Sequence, residues 1–158
     1  MANSNVTLKW IHALGKDKIV FDAGILDGTK NRGIYGIFVI DKAEKSEYCA
    51  YIGRAVNIYS RFFSGENAHF VKLRKEKLKN DKIVKALSDE NKRIEVRVIE
   101  PIEFDYIDYC KDTQRMASRE CFYIDYYQSL GQCREQYPDG SNIKRSVWDE
   151  ERKSKDSE

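Results

Sequence analysis

Five side chains in this sequence are of types that together could handle a phosphate ester. Tyr35 lies in the apolar run GIYGIFVI and Tyr51 in YCAYIG. Arg54 follows Gly53 directly, Arg61 lies in RAVNIYSRFF, and Glu120 lies far downstream in RECFYI. A guanidinium is planar and permanently charged, so it suits a phosphate that must be held and whose extra charge must be stabilised in a transition state. A tyrosine has an unperturbed pKa of about 10, so acting as a base near neutrality requires stabilising the phenolate by about three units, or roughly 4 kcal/mol. A carboxylate with several waters is a plausible ligand set for Mg²⁺, which takes few protein carboxylates.

Each residue alone also has an ordinary reading. Strand tyrosines commonly pack, and helix arginines are commonly solvated. Glu120 sits in a helical stretch where Met116, Ile124 and Tyr127 share its face, which surrounds a carboxylate with apolar groups. An arginine partner, a helix edge that reaches water, a metal ion or a role as general base would each satisfy that charge.

The elements that must position these groups are legible in outline. The run 33–40 and the shorter run 48–52 are rich in β-branched and aromatic residues, with DKAEKSE between them, and read as a β-hairpin. From Ala55 the pattern turns helical, with Ile58, Phe62 and Phe63 on one face and Ser64-Gly65 as a stop. A second helical stretch covers 67–88, with a break near Asn80-Asp81 that makes it two helices. IEVRVIE alternates Ile94, Val96 and Val98 with polar residues until Ile99 breaks the alternation, a third and half-buried strand. A helix follows over 113–130, closed by Gly131. The expected fold is α/β (α+β): a small, three-stranded, mainly antiparallel sheet flanked by helices. In the first thirty residues, LKWIHALG reads as a helical turn and KIVF as a strand, and the terminal DEERKSKDSE reads as a charged, flexible tail.

Composition bounds the function. The 158 residues suit one domain with a core. With 34% charged and 41% hydrophobic residues the chain is not a long disordered one. The net charge of +2 does not mark the whole chain as a polyanion binder, so local clusters carry that argument, chiefly VKLRKEKLKNDK, which is also compatible with a solvated helix face. The four cysteines, 49, 110, 121 and 133, form no C-x-x-C pair, so reduced structural thiols are expected. No secretory leader or membrane-length apolar run is present, which leads to a cytoplasmic expectation with no membrane partner.

GIY, YIG, the arginine in RAVNIYSRFF, the glutamate in RECFYI and the asparagine in SNI together resemble the GIY-YIG nuclease superfamily, in the family's order and over residues 33–145. The resemblance divides the chain into an N-terminal extension (1–32), a nuclease domain (33–145) and the charged tail (146–158). It implies a DNA endonuclease that hydrolyses phosphodiester bonds with Mg²⁺ or Mn²⁺. Tyr35 would be the general base, Tyr51 would position the water or phosphate, Arg61 would stabilise the transition state, Glu120 would hold the cation, and Asn142 would support the site. Arg54 stands where the excision-repair nuclease, whose YVGKAKNL segment is similar, has a lysine. Some members carry a histidine one turn after the helix arginine; here Gly65 takes that place, and His69, as an auxiliary group or a core histidine, is the nearest. Arg54, His69, Lys72, Arg74 and Lys75 are the candidate DNA contacts, and the N-terminal extension and the basic helix are the expected seats of substrate choice. A restriction-, phage- or defence-type enzyme, a structure-selective repair nuclease and a catalytically silent DNA-binding module are all compatible with these motifs. Cleavage of both strands by a one-site domain invites a homodimer.

Overall fold

The computed structural model of the chain describes residues 2–137 and 145–156. Its centre is β2 (Gly33–Asp41), whose apolar run is buried almost throughout because strands flank it on both edges and helices cover both faces. β3 (Ser46–Ala55) and β4 (Lys92–Pro101) each pair with it antiparallel. The three-stranded sheet expected from sequence is corrected by β1 (Ile19–Phe21), which pairs parallel to β4 through Ile19↔Ile94 and Phe21↔Val96. The sheet is therefore mixed and four-stranded, in the order β1-β4-β2-β3. Phe21 explains why so short a strand docks: its ring packs against Phe62, Phe63 and Phe70 with centroids 6.2, 5.3 and 5.4 Å away.

Two register shifts shape the middle of the sheet. Tyr35 pairs with Val98 while Ile34 pairs with Glu100, so Ile99 is the extra residue of a bulge at the point where its alternation breaks. On the other edge Ile37 pairs with Tyr51 and Phe38 with Cys49, leaving Ala50 as the extra residue of β3. Asn80 Nδ2 donates to the Ala50 carbonyl at 2.9 Å.

The remaining elements are α1 (Ala2–Ala13), α2 (Ala23–Leu26), α3 (Ile58–Phe63), α4 (His69–Arg74), α5 (Asp81–Ser88), α6 (Tyr109–Ser129) and α7 (Arg145–Asp156). The side-chain oxygens of Asn57, Asn80 and Asp108 accept from the first-turn amides of α3, α5 and α6. Asn80 thus starts α5 at the break expected near Asn80-Asp81, while α4 ends earlier, at Arg74. The residues set apart as a tail include the helix α7. Residues 1–32 share the domain's core, since Ile11, Ile19 and Ile25 join Tyr35, Ile37, Val39, Phe62, Phe70, Ile83 and Val96 on one face of the sheet. On the other face α6 lays Met116 and Ile124 against Ile34, Phe38, Ile40, Cys49 and Ile52.

β3 is an edge strand, and its open side is covered. Gln132 Oε1 accepts from Cys49 N, and Gln136 both accepts from Ile52 N and donates to Ile52 O, all at 2.6 Å. The cysteines are free thiols. No helix among the described residues is long and apolar enough to cross a membrane.

Candidate active site

The strand register brings the two tyrosines together. Tyr35 stands opposite Gly53, and Tyr51 lies two residues along β3 from Gly53, so the side chains are diagonal neighbours on one face. Their ring centroids are 6.2 Å apart. Gly53 is required by this arrangement: a Cβ there would fall 2.9 Å from Tyr35 Cε1 and closer still to Cζ and Oη. The glycine of YIG thus makes room for the tyrosine of GIY. Gly33 has a different constraint, with φ at +140° and the β4 backbone at Glu100 to Ile102 against the place a side chain would take.

Tyr35 is 0% exposed, and its Oη lies 2.7 Å from His69 Nε2 at the start of α4. Burial and the nearby Arg61 and Lys72 hold the His69 pKa down, to about 3, so the ring is neutral at physiological pH. Burial likewise pushes the Tyr35 hydroxyl well above its ordinary pKa, with Tyr51 and Glu120 adding to the rise and Arg61 opposing it. Tyr51 is only partly buried. Desolvation raises its pKa too, but the Arg61 charge opposes the rise, as do hydrogen bonds from Arg61 and Tyr35. Tyr35 is thus the sealed phenol of the pair and Tyr51 the one open to solvent. The neutral His69 ring holds the Tyr35 hydroxyl from behind, with the donor of that bond set by which ring nitrogen carries the proton.

Arg61 projects from the last turn of α3 and is anchored by a 3.1 Å hydrogen bond from Nη1 to the Asn67 carbonyl. With Arg54, Asn57, Ser60, Ser64 and Asn67 it lines an open cleft of about 380 Å³. Glu120 faces this region from α6. Its side chain is 12% exposed, and Arg54 Nη1 lies 3.5 Å from Oε1. Met116 and Ile124 are buried beside it as the apolar stripe requires. Desolvation raises the Glu120 pKa, opposed by the Arg54 charge and a hydrogen bond from the Arg54 backbone.

The structure thus brings Tyr35, Tyr51, Arg61, Arg54 and His69 into one neighbourhood, with Glu120 at its rim. Asn142 lies outside the described residues. Of the candidate DNA contacts, His69 is corrected: it is buried among Tyr35, Tyr51 and Phe62 and hydrogen-bonds the site from behind. Arg74 Nε donates to Thr7 Oγ1 at 3.3 Å, which ties α4 to α1, and Lys75 pairs with Glu66 at 2.6 Å. Lys72 is half-buried, close enough to bear on His69. The central place of His69 escaped the sequence reading because its contact with Tyr35 spans strand and helix; the spacing from Arg61 pointed elsewhere.

Glu120 is the carboxylate that could hold a divalent cation. It is largely desolvated, and the Arg54 guanidinium lies 3.5 Å away, beyond charge-assisted hydrogen-bond distance. No group of three or more His, Cys, Asp or Glu side chains placed to share a metal occurs among the described residues. No family model matches the chain, and no curated protein or solved structure matches it.

Proposed function

We propose that the protein is a metal-dependent DNA endonuclease of GIY-YIG type that hydrolyses phosphodiester bonds with a tyrosine base. The observation that carries this reading is the packing of Tyr35 and Tyr51 on one face, with ring centroids 6.2 Å apart, Tyr35 held by His69 and Arg61 lining the cleft nearby. Burial leaves the Tyr51 pKa above its ordinary value, and the Arg61 charge opposes that rise.

Access favours Tyr51, in place of Tyr35, as the group that takes the proton of the attacking water. Tyr35 has no solvent-facing surface, whereas Tyr51 is partly exposed. Its part is to hold Tyr51 in place and stabilise the phenolate, itself fixed by the neutral His69. Arg61, anchored on Asn67, presents its remaining donors to the cleft, where they would bind the phosphate and stabilise the charge that builds on its oxygens. Glu120 would hold Mg²⁺ or Mn²⁺, which supplies Lewis-acid stabilisation of the phosphate oxygens and leaving group. Lys72 and Arg54 would follow the DNA backbone.

The Arg54–Glu120 ion pair favours a second reading, a DNA-binding module without cleavage, because it already supplies the carboxylate with a counter-charge. A supercoiled-plasmid assay separates the two. Nicking or linearisation that needs Mg²⁺, stops with chelator and is lost in Glu120→Gln, with DNA binding kept, supports the endonuclease. A gel shift without cleavage on plasmid and branched DNA alike supports the module. Discrete bands indicate sequence specificity, and preference for branched DNA a structure-selective enzyme.

A further inference from the structure

The ion pairs that involve α6 and the sheet are of two kinds. Arg119 grips Glu100 with Nε at 2.9 Å and Nη2 at 2.7 Å, and Arg97 grips Glu47 with two nitrogens at 2.9 and 2.7 Å. Both are forked, close contacts that lock side chains together. The Arg54 guanidinium comes no closer to Glu120 than 3.5 Å, at Nη1, while the Arg54 backbone also hydrogen-bonds the carboxylate. The guanidinium is 41% exposed and its carboxylate only 12%, so the anion is enclosed while the cation borders open solvent. Among the described residues no other carboxylate pairs with Arg54.

Arg54 also lines two separate clefts. On one side are Arg61, Asn57 and Ser60; on the other are Arg32, Tyr109 and Thr113. An arginine held weakly by an enclosed carboxylate, between two openings of which one already presents a second arginine, can exchange one anion for another. A DNA phosphate entering beside Arg61 is such an anion.

Resting on the endonuclease reading, we propose that Arg54 is an exchangeable counter-ion of Glu120, which couples cation binding to DNA binding. In the free protein it neutralises the carboxylate and competes with a divalent cation. When DNA enters, a backbone phosphate takes the guanidinium, Glu120 is released, and the cation binds more tightly. No bond is made or broken in this exchange. Linkage requires the reverse as well: the cation, by freeing Arg54, strengthens DNA binding by the same factor.

The test is a Mn²⁺ titration followed by the electron paramagnetic resonance signal of the free ion, with and without a short duplex. Cleavage is blocked by Tyr51→Phe in every sample, and Glu120→Gln defines the binding that belongs to the site. With Arg54 present, the duplex should tighten Glu120-dependent Mn²⁺ binding about tenfold, within the usual range for coupled sites. Arg54→Met should bind Mn²⁺ about tenfold more tightly without DNA and gain little more from it. Glu120-dependent binding that is unchanged by both the duplex and Arg54→Met overturns the exchange and leaves the endonuclease reading standing. Mn²⁺ binding that ignores Glu120→Gln overturns the exchange together with the metal site on which it rests.

Discussion

Gly53→Ala probes the packing on which the site depends. The added methyl would sit 2.9 Å from Tyr35 Cε1 and closer to Cζ and Oη, against an ordinary carbon contact of about 3.5–4.0 Å. Flexible side chains can yield to such an intrusion, but this ring is fully buried, with Phe62 at 5.0 Å between centroids and His69 on its hydroxyl at 2.7 Å. Overpacking of this kind costs about 1–3 kcal/mol, and displacing the ring far enough to lose the His69 hydrogen bond adds about 1 kcal/mol. The expected loss is about 3 kcal/mol, or roughly 6–12 °C in Tm for a chain of this length. Urea and thermal unfolding of Gly53→Ala, Tyr35→Leu and the double variant measure it as a cycle. Since the atoms that clash are the outer ring and hydroxyl, Gly53→Ala should be nearly neutral in the Tyr35→Leu background, giving a coupling energy of about 2–3 kcal/mol. A loss below about 0.5 kcal/mol with Tyr35 in place, or equal losses with and without the tyrosine ring, would refute the placement of the ring across Gly53.

Two other perturbations follow from buried charge. His69 has a folded pKa near 3 against 6.5 in the unfolded chain, so between those values the unfolded state binds the extra proton and stability falls as pH falls. From pH 6.5 to 5 the wild type should lose about 2 kcal/mol that His69→Gln does not lose, and parallel urea midpoints for the two proteins over that range would contradict the buried neutral histidine. Asp112 is buried between Arg32, which hydrogen-bonds it closely, and Arg115 at 3.5 Å. Asp112→Ala strands the largely buried Arg32 and should cost about 3 kcal/mol in urea unfolding, the lower end of the range for broken buried pairs because Arg115 keeps Asp105 and contact with water; a loss under about 1 kcal/mol would mean that the pair is solvated.

Much of the frame was legible because its signals are local. The apolar run of β2, the alternation of β4 and the Asn80 cap each lie within a few residues of the element they define. The alternation breaks at Ile99, where the register shows a bulge that the sequence reading did not infer. β1 was harder, because three residues carry little periodicity and their place beside Ile94 to Val96 is decided by long-range pairing and by the Phe21 contacts. The site shows the same division. Residue types and order singled out Tyr35, Tyr51, Arg61 and Glu120. Which arginine faces Glu120, which tyrosine is sealed from solvent, and what meets the Tyr35 hydroxyl depend on register and helix packing. Composition can suggest that a phenol needs cations nearby; it cannot say that burial raises Tyr35 more than Arg61 lowers it.

The central claim is that this cleft cuts DNA and that Tyr51, supported by Tyr35 and His69, takes the proton. Single-turnover cleavage of a plasmid with Mg²⁺, by wild type, Tyr51→Phe and Tyr35→Phe, tests it most directly when DNA binding is measured beside it. The account predicts that all three bind DNA alike, that Tyr51→Phe slows cleavage by about 10²–10⁴-fold, and that Tyr35→Phe slows it far less. Near-normal cleavage by Tyr51→Phe, with Tyr35→Phe inactive, would contradict the assignment of the base; no cleavage by the wild type on plasmid or branched DNA would contradict the function.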